Sequence, residues 1–227
     1  MFPTTNRPYD VSPTGEVVRN RVLRNTYWLL ALSMIPTVLG AFVGVTTGFS
    51  LGGGFLGFAI FLAVMFGFIY VIQKNKDSGL GVVALLGFTF FMGLMLTPLL
   101  SRTLGYSNGG SLIMTAFGGT GLVFVALASY ATVTKRDFSM MGKWLFAGTI
   151  VVLLALVANI FLQMPVLHIV LSIVIIALFS AWILYDVQQI VNGGETNYIS
   201  ATLSLYINVY NIFTSMLSLL GLGGDRD

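Results

Sequence analysis

Apolar residues run along this chain in seven stretches of about 20 residues each, separated by short polar breaks. A helix of that length crosses roughly 30 Å of hydrocarbon, whereas an open sheet would leave backbone groups unpaired in lipid. The pattern therefore predicts an all-α membrane protein, a bundle of seven transmembrane helices. The predicted helices occupy residues 26–48, 52–73, 80–100, 110–133, 144–164, 167–190 and 198–221.

The polar residues before the first apolar stretch form a separate region. Residues 1–25 contain three prolines and end in a basic run, and no signal-peptide pattern is present. We expect a flexible N-terminal tail here, for which an ordinary disordered terminus is the simplest interpretation. The transmembrane domain would then cover residues 26–221, and residues 222–227 would form a short C-terminal end.

The composition supports lipid as the solvent. Charged residues make up 8% of the chain and apolar residues 56%, whereas a soluble domain carries roughly 25% charge. The chain has no cysteine and one histidine. This excludes disulfides, thiol nucleophiles, iron–sulfur clusters, a bis-histidine haem and a multi-histidine metal centre. We therefore predict no cofactor and no bound metal.

Nine basic residues lie on one side of the membrane in the predicted topology, and two, Arg102 and Arg226, lie on the other. The positive-inside rule then places the N-terminus in the cytoplasm and the C-terminus in the periplasm. This topology explains the net charge of +3 without a nucleic-acid partner. The nine are Arg7, Arg19, Arg21, Arg24, Lys74, Lys76, Lys135, Arg136 and Lys143.

Small residues and prolines mark special positions within the predicted helices. Gly40, Gly44 and Gly48 recur every four residues in the first helix. Small residues one turn apart allow helices to approach closely, so we expect tight packing within the bundle, with dimerisation as the alternative. Pro36 and Pro98 each remove a backbone hydrogen bond and are expected to bend their helices.

The last two predicted helices flank a polar turn at 192–197, in which Gly193 and Gly194 precede Glu195. Just before this turn lies Asp186, the only ionised side chain that we place inside an apolar stretch. A charge at mid-membrane costs roughly 2.5–3.5 kcal/mol, so Asp186 must face protein or water and is a candidate functional residue. A structural hydrogen-bond cap for the hairpin is the alternative.

Opposite Asp186, the last helix carries a column of polar residues at helical spacing, which we call the polar seam. Its members are Ser204, Asn208, Asn211, Ser215 and Ser218. Residues three and four positions apart share one face of a helix, and such a face is unsuited to lipid. The last helix is therefore predicted to be buried among the other six, with Asn208 able to donate a hydrogen bond to Asp186.

Two matches to enzyme motifs lack the context that their chemistry needs. Residues 105–109 match Gly-x-Ser-x-Gly and residues 52–57 match Gly-x-Gly-x-x-Gly, but neither follows a predicted strand. His168 shares a helix face with Asp186 but lies roughly 27 Å from it along the axis, so we expect a polar anchor near the outer surface. We predict that the protein is not an enzyme.

Several segments, in order and at the right spacing, resemble the Bax inhibitor-1 family, the transmembrane BAX inhibitor motif proteins. The segments at the hairpin are YDVQQI, NGGETNYI and SLYINVYNIF, at residues 185–190, 192–199 and 204–213. The likeness continues upstream at residues 22–30, 87–100, 118–130 and 157–168. It is greatest for the bacterial inner-membrane branch and covers nearly the whole chain.

The resemblance implies seven helices with the last one central, and one of two activities. Members of the bacterial branch modulate the membrane-anchored AAA+ protease FtsH and are also its substrates. Other members are pH-sensitive calcium leaks controlled by two aspartates, of which Asp186 matches the first. Asn208 stands at the second, so this site offers one carboxylate fewer to Ca²⁺ and no coupled pair. We predict binding and modulation of FtsH, with a calcium or proton leak gated at Asp186 as the alternative.

Overall fold

The computed structural model describes residues 13–134 and 136–223, and helix is the only regular structure in this part of the chain. The all-α prediction is therefore confirmed. A short 3-10 turn at Gly221–Gly223 follows the last α-helix. The α-helices are α1 (Pro13–Thr47), α2 (Gly54–Lys74), α3 (Gly79–Met95), α4 (Thr97–Leu104), α5 (Gly109–Val133), α6 (Met141–Leu162), α7 (Pro165–Val191) and α8 (Tyr198–Leu220).

Six of these helices, all except α3 and α4, are long and apolar enough to cross a membrane. The pair α3 and α4 passes the same test only when taken together, and the two helices are bent by 42° at their junction. The described residues thus contain six candidate spans, or seven with the bent pair counted as one.

Pro98 lies in the first turn of α4, where its missing N–H is tolerated. The bend predicted at this proline is confirmed, while α1 remains one helix through Pro36.

The first helix begins earlier than predicted. Its start was expected at residue 26, whereas α1 begins at Pro13. After Gly15 the sequence contains no glycine or proline before Pro36, so the helix has no breaker between them. Hydropathy therefore marked where the chain becomes apolar and not where it becomes helical. The tail expected at 1–25 is helical from residue 13 onward, and residues 1–12 lie outside the described residues.

Helix α8 lies against α1, α2, α3, α4, α5 and α7. Its Tyr206 is 1% exposed and is the largest fully buried side chain of the described residues. The ring of Tyr206 packs edge-on against Phe88 of α3, with 5.9 Å between centroids. Its hydroxyl lies 2.9 Å from Oγ1 of Thr37 on α1. One tyrosine of α8 thus joins three helices in the hydrophobic core.

Helices α1 and α3 pack through glycines at their closest approach. A Cβ atom added at Gly40 would clash with the carbonyl of Phe90 on α3, and one added at Gly93 would clash with the carbonyl of Thr37 on α1. The close packing predicted for Gly40 therefore occurs within the bundle. Gly48 has a different role, because it ends α1 with a left-handed φ of 68° and a Cβ there would meet no atom within 4 Å.

We expect Gly40→Val to destabilise the protein by about 1–3 kcal/mol, because the added side chain must displace the backbone of α3. Gly67→Val on α2 is the matched control, since a Cβ there meets no atom within 4 Å. Thermal unfolding in detergent measures the difference. Equal melting temperatures for the two variants would contradict the close approach of α1 and α3.

Candidate functional site

The predicted hairpin is formed by α7 and α8, which are joined by the turn at 192–197. Gly193 has a left-handed φ of 77°, a conformation that glycine adopts without strain. The backbone N–H groups of Gly194 and Glu195 both donate to the carbonyl of Gln189, at 2.8 and 3.0 Å. These bonds satisfy a carbonyl in the last turn of α7. The two glycines and Glu195 therefore reverse the chain within a few residues.

Asn197 begins α8 and connects the turn to another loop. Its Oδ1 accepts hydrogen bonds from the N–H groups of Ile199 and Ser200, at 2.9 and 3.1 Å. Such an N-cap contributes about 1 kcal/mol. Its Nδ2 donates to the carbonyl of Lys76 and to Oδ1 of Asp77, at 3.0 and 2.8 Å. The α7–α8 turn and the α2–α3 loop thus meet at one end of the bundle, which we call the hairpin end.

Asp186 and Asn208 contact each other across the hairpin. Nδ2 of Asn208 donates to Oδ2 of Asp186 at 2.7 Å. Asn208 is 4% exposed and Asp186 is half-buried. Glu195, in the turn, is near enough for its charge to repel a charge on Asp186. The structure therefore brings the two candidate sensing residues together as a carboxylate and an amide donor, in a site that excludes most solvent from the amide.

The polar seam lies on α8, and all of its members are buried or half-buried. At its far end, Oγ of Ser218 lies 2.7 Å from Nε2 of His168 on α7. Asn211 instead donates its amide to the carbonyl of Ile207, one turn earlier on α8. The seam thus meets α7 at Asn208 and at Ser218, roughly 15 Å apart along the helix. The contact between His168 and the seam was not predicted from the sequence.

Gln188 is a site residue that the sequence reasoning missed. It lies on α7, two residues after Asp186, and is 3% exposed. Its Oε1 accepts from the N–H of Phe138 at 2.5 Å, and its Nε2 donates to the carbonyl of Arg136. One side chain therefore fixes the α5–α6 loop at the hairpin end. The available sequence signal is a glutamine inside an apolar stretch, which indicates a buried amide that needs hydrogen-bond partners. The sequence does not indicate which partners these are, because they are backbone atoms about 50 residues earlier in the chain.

The α5–α6 loop contains an acid with its own local hydrogen bonds. Asp137 accepts from the hydroxyl and from the backbone N–H of Ser139, the latter at 2.8 Å. These bonds favour the ionised carboxylate and hold the pKa of Asp137 below its usual value. Asp137 is therefore expected to stay ionised at neutral pH, beside the basic Arg136 of the same loop.

Comparison with known proteins identifies the family. The family profile described as "Inhibitor of apoptosis-promoting Bax1" matches residues 19–225. This chain belongs to the Bax inhibitor-1 family. It is 42% identical over 208 residues to "Modulator of FtsH protease YccA" of Escherichia coli strain K12, and the match covers 92% of this chain and 93% of the relative. The resemblance predicted from the hairpin segments is confirmed.

Further relatives match over the same length. "Inner membrane protein YccA" of Escherichia coli O6:H1 is also 42% identical, over 92% of this chain and 93% of its own. An "Uncharacterized membrane protein" of Vibrio cholerae is 40% identical, over 92% of each chain. Similarity that extends over nearly the whole of each relative involves the entire helical bundle and not the hairpin alone.

The two enzyme-motif matches, at residues 105–109 and 52–57, lie where a connection between helices meets the start of the next helix of this Bax inhibitor-1 protein. Residues 105–108 connect α4 to α5, and residues 48–53 connect α1 to α2. No strand precedes either match among the residues that the structure describes. Within the same residues, no group of three or more His, Asp and Glu side chains could hold a metal ion.

The bond between Asp186 and Asn208 should couple the two residues energetically. Because the bond is short and joins two helices, we expect a double-mutant cycle with Asp186→Ala and Asn208→Ala to give a coupling energy of about 1–2 kcal/mol. Asn208→Ala combined with Ser218→Ala is the control pair, and these two changes should be additive. Unfolding by denaturing detergent supplies the free energies. Additive effects in the first cycle would show that the bond does not stabilise the hairpin.

Proposed function

We propose that this protein binds the membrane AAA+ protease FtsH in the bacterial inner membrane, modulates it and is itself degraded by it. The observation that carries the proposal is the 42% identity, over 92% of the chain, to a relative named as a modulator of FtsH protease. A second relative of equal identity is named an inner membrane protein. Because the match is continuous along both chains, it supports a common fold and a common partner.

We further propose seven spans, with α3 and α4 forming one bent span and α8 central. Contacts between α8 and six other helices support the central position. The charges of the described residues support a cytoplasmic hairpin end. Lys74, Lys76, Arg136 and Lys143 lie at or beside the loops of that end, whereas Arg102 lies at the opposite end. In this topology the N-terminus is cytoplasmic and the C-terminus periplasmic.

A protease that unfolds its substrates needs a segment to grip on its own side of the membrane. In the proposed topology the residues before α1 are on that side. The flexible tail was predicted at residues 1–25, but α1 begins at Pro13, so the segment for the protease to grip, the handle, is assigned to residues 1–12. Pulling on these residues would apply force directly to α1.

Extraction of α1 would meet resistance from the core. Its glycines lie against the backbone of α3, and Thr37 is hydrogen-bonded to Tyr206 of α8. Forced unfolding is governed by the unfolding rate, so a tightly packed first helix makes a slow substrate. A slow substrate occupies the protease and reduces its activity on other proteins. This is the proposed physical basis of modulation.

Deletion of residues 2–12 should slow degradation of the protein by FtsH several-fold, because the handle is lost while the helices stay intact. Replacement of residues 2–12 by the same residues in scrambled order is the control and should leave turnover unchanged. Pulse-chase measurements in cells with and without FtsH give the rates. Unchanged turnover of the inserted deletion variant would contradict the handle.

An ion leak gated at Asp186 is the second candidate function. It is favoured by a half-buried acid within a membrane-spanning helix, hydrogen-bonded to Asn208 near the hairpin end. Intramembrane acids of this kind mark ion and proton pathways. A single carboxylate is nevertheless a poor calcium site, since Ca²⁺ takes six to eight oxygen ligands.

Flux into liposomes separates the two functions. For the FtsH modulator we expect no Ca²⁺ or H⁺ flux above empty liposomes between acidic and neutral pH, because the site has one carboxylate. Asn208→Asp adds a second carboxylate to the site, so it is the variant with which the unmodified protein is compared for calcium flux. Flux by the unmodified protein that disappears in Asp186→Asn would favour the leak instead.

A further inference from the structure

One face of α1 is exposed, and it changes from basic to apolar along the helix. Trp28, Ile35 and Phe42 are 72%, 58% and 67% exposed and follow one another every seven residues, which keeps them on nearly the same side of the helix. Arg21 and Arg24 are also exposed. They precede Trp28 by seven and four residues, so they continue the same face towards the start of α1.

Trp28 lies where the hydrocarbon layer is expected to end. From Trp28 to Thr47, the last residue of α1, the helix rises roughly 29 Å, which is close to the roughly 30 Å of a bilayer's hydrocarbon core. Tryptophan is favoured at that boundary. Arg24 and Arg21 lie roughly 6 and 10 Å beyond Trp28 along the axis. Since the headgroups add roughly 5–8 Å on each side, Arg24 lies in the headgroup layer and Arg21 at its surface.

The two arginines have no counter-ion from the protein. Neither guanidinium forms a hydrogen bond or an ion pair within the part of the chain that the structure describes. No acid lies three or four residues from either of them in the sequence, the spacing at which a helix brings side chains together. Arg21 and Arg24 are themselves at that spacing, where like charges repel each other. An anion from outside the protein would remove this repulsion.

Described acids of the hairpin end have other neighbours. Glu195 lines a small pocket together with Arg19, which lies on a different side of α1. The same pocket places the start of α1 beside the α7–α8 turn. Asp77 accepts a hydrogen bond from that turn, and Asp137 accepts bonds within its own loop. The exposed arginine pair is therefore left facing the headgroups of the leaflet at the hairpin end.

We propose that Arg21 and Arg24 bind the phosphate of an anionic phospholipid, with Trp28 beside the start of its acyl chains. A guanidinium can donate two parallel hydrogen bonds to one phosphate, which a lysine ammonium cannot. The exposed apolar face beyond Trp28 supplies a surface for the acyl chains, as a lipid requires and a free phosphate does not. A zwitterionic lipid carries its own cation beside the phosphate, so a net negative headgroup, such as that of phosphatidylglycerol, fits the pair better.

The test titrates the full-length protein, purified in a neutral detergent, with phosphatidylglycerol or with phosphatidylcholine of the same acyl chains. Native mass spectrometry counts the bound lipids. Arg21→Gln with Arg24→Gln should weaken phosphatidylglycerol binding at least about tenfold and leave phosphatidylcholine binding unchanged. Arg21→Lys with Arg24→Lys keeps the charge but loses the paired bonds, so we expect a loss of about threefold.

Lys74→Gln with Lys143→Gln is the matched control. Both lysines are exposed at the hairpin end, so this pair removes the same charge from the same end of the bundle. Binding of phosphatidylglycerol to this control should stay within about twofold of the unmodified protein, because the two lysines lie on different helices. Equal melting temperatures would show that the variants are folded. If the glutamine pair on α1 fails to fold, the lysine pair on α1 supplies the comparison.

Three results would overturn the proposal. Equal losses in the α1 pair and in the control would mean that diffuse positive charge, and not a site, holds the lipid. Equal affinity of the unmodified protein for the two lipids would mean that the headgroup charge is not recognised. Displacement of phosphatidylglycerol by millimolar inorganic phosphate would assign the arginine pair to a soluble anion. None of these measurements involves FtsH, so the lipid site and the proposed function fail independently.

Discussion

A helix that carries amides and hydroxyls cannot face hydrocarbon, and this constraint on α8 determines much of the structure. Each polar group placed in lipid without a partner costs several kcal/mol. Three polar side chains of α8 have partners on three neighbouring helices. Asn208 donates to Asp186 of α7, Tyr206 bonds to Thr37 of α1, and Tyr210 donates to a carbonyl of α3. Once these bonds form, the neighbours of α8 are held in register.

The same bonds connect the fold to the proposed function. Because α1 is bonded to α8 and lies against α3 through glycines, its removal from the membrane would disrupt the core and not only one peripheral helix. At the hairpin end, Asn197 and Gln188 hold two further loops to the α7–α8 hairpin. A protease pulling from that side would therefore act on a surface whose loops are fixed to one another.

Most of the fold could be predicted because hydropathy and helical spacing are local properties. The hairpin, the polar seam and the pairing of Asp186 with Asn208 follow from residues three or four positions apart and from one short turn. The ends of the later helices lie within about four residues of their predicted positions. The start of α1 was missed because polar residues at a membrane surface continue a helix without an apolar signal.

Other features depend on parts of the chain that are distant in sequence. The amide of Gln188 finds its partners on a loop about 50 residues earlier, and no spacing rule indicates that pairing. The contact between His168 of α7 and Ser218 of α8 likewise joins residues 50 positions apart. In both cases the residues were visible in the sequence, but their surroundings were created by tertiary packing.

Binding to FtsH is the central claim, and crosslinking in native membranes tests it most directly. Affinity-tagged protein would be crosslinked under mild conditions, extracted in detergent and purified, and the purified material would be probed for FtsH. We expect FtsH to be recovered with the tagged protein and to be absent from membranes carrying an unrelated tagged protein of similar size. Absence of FtsH, with the tagged protein inserted and folded, would contradict the proposed function.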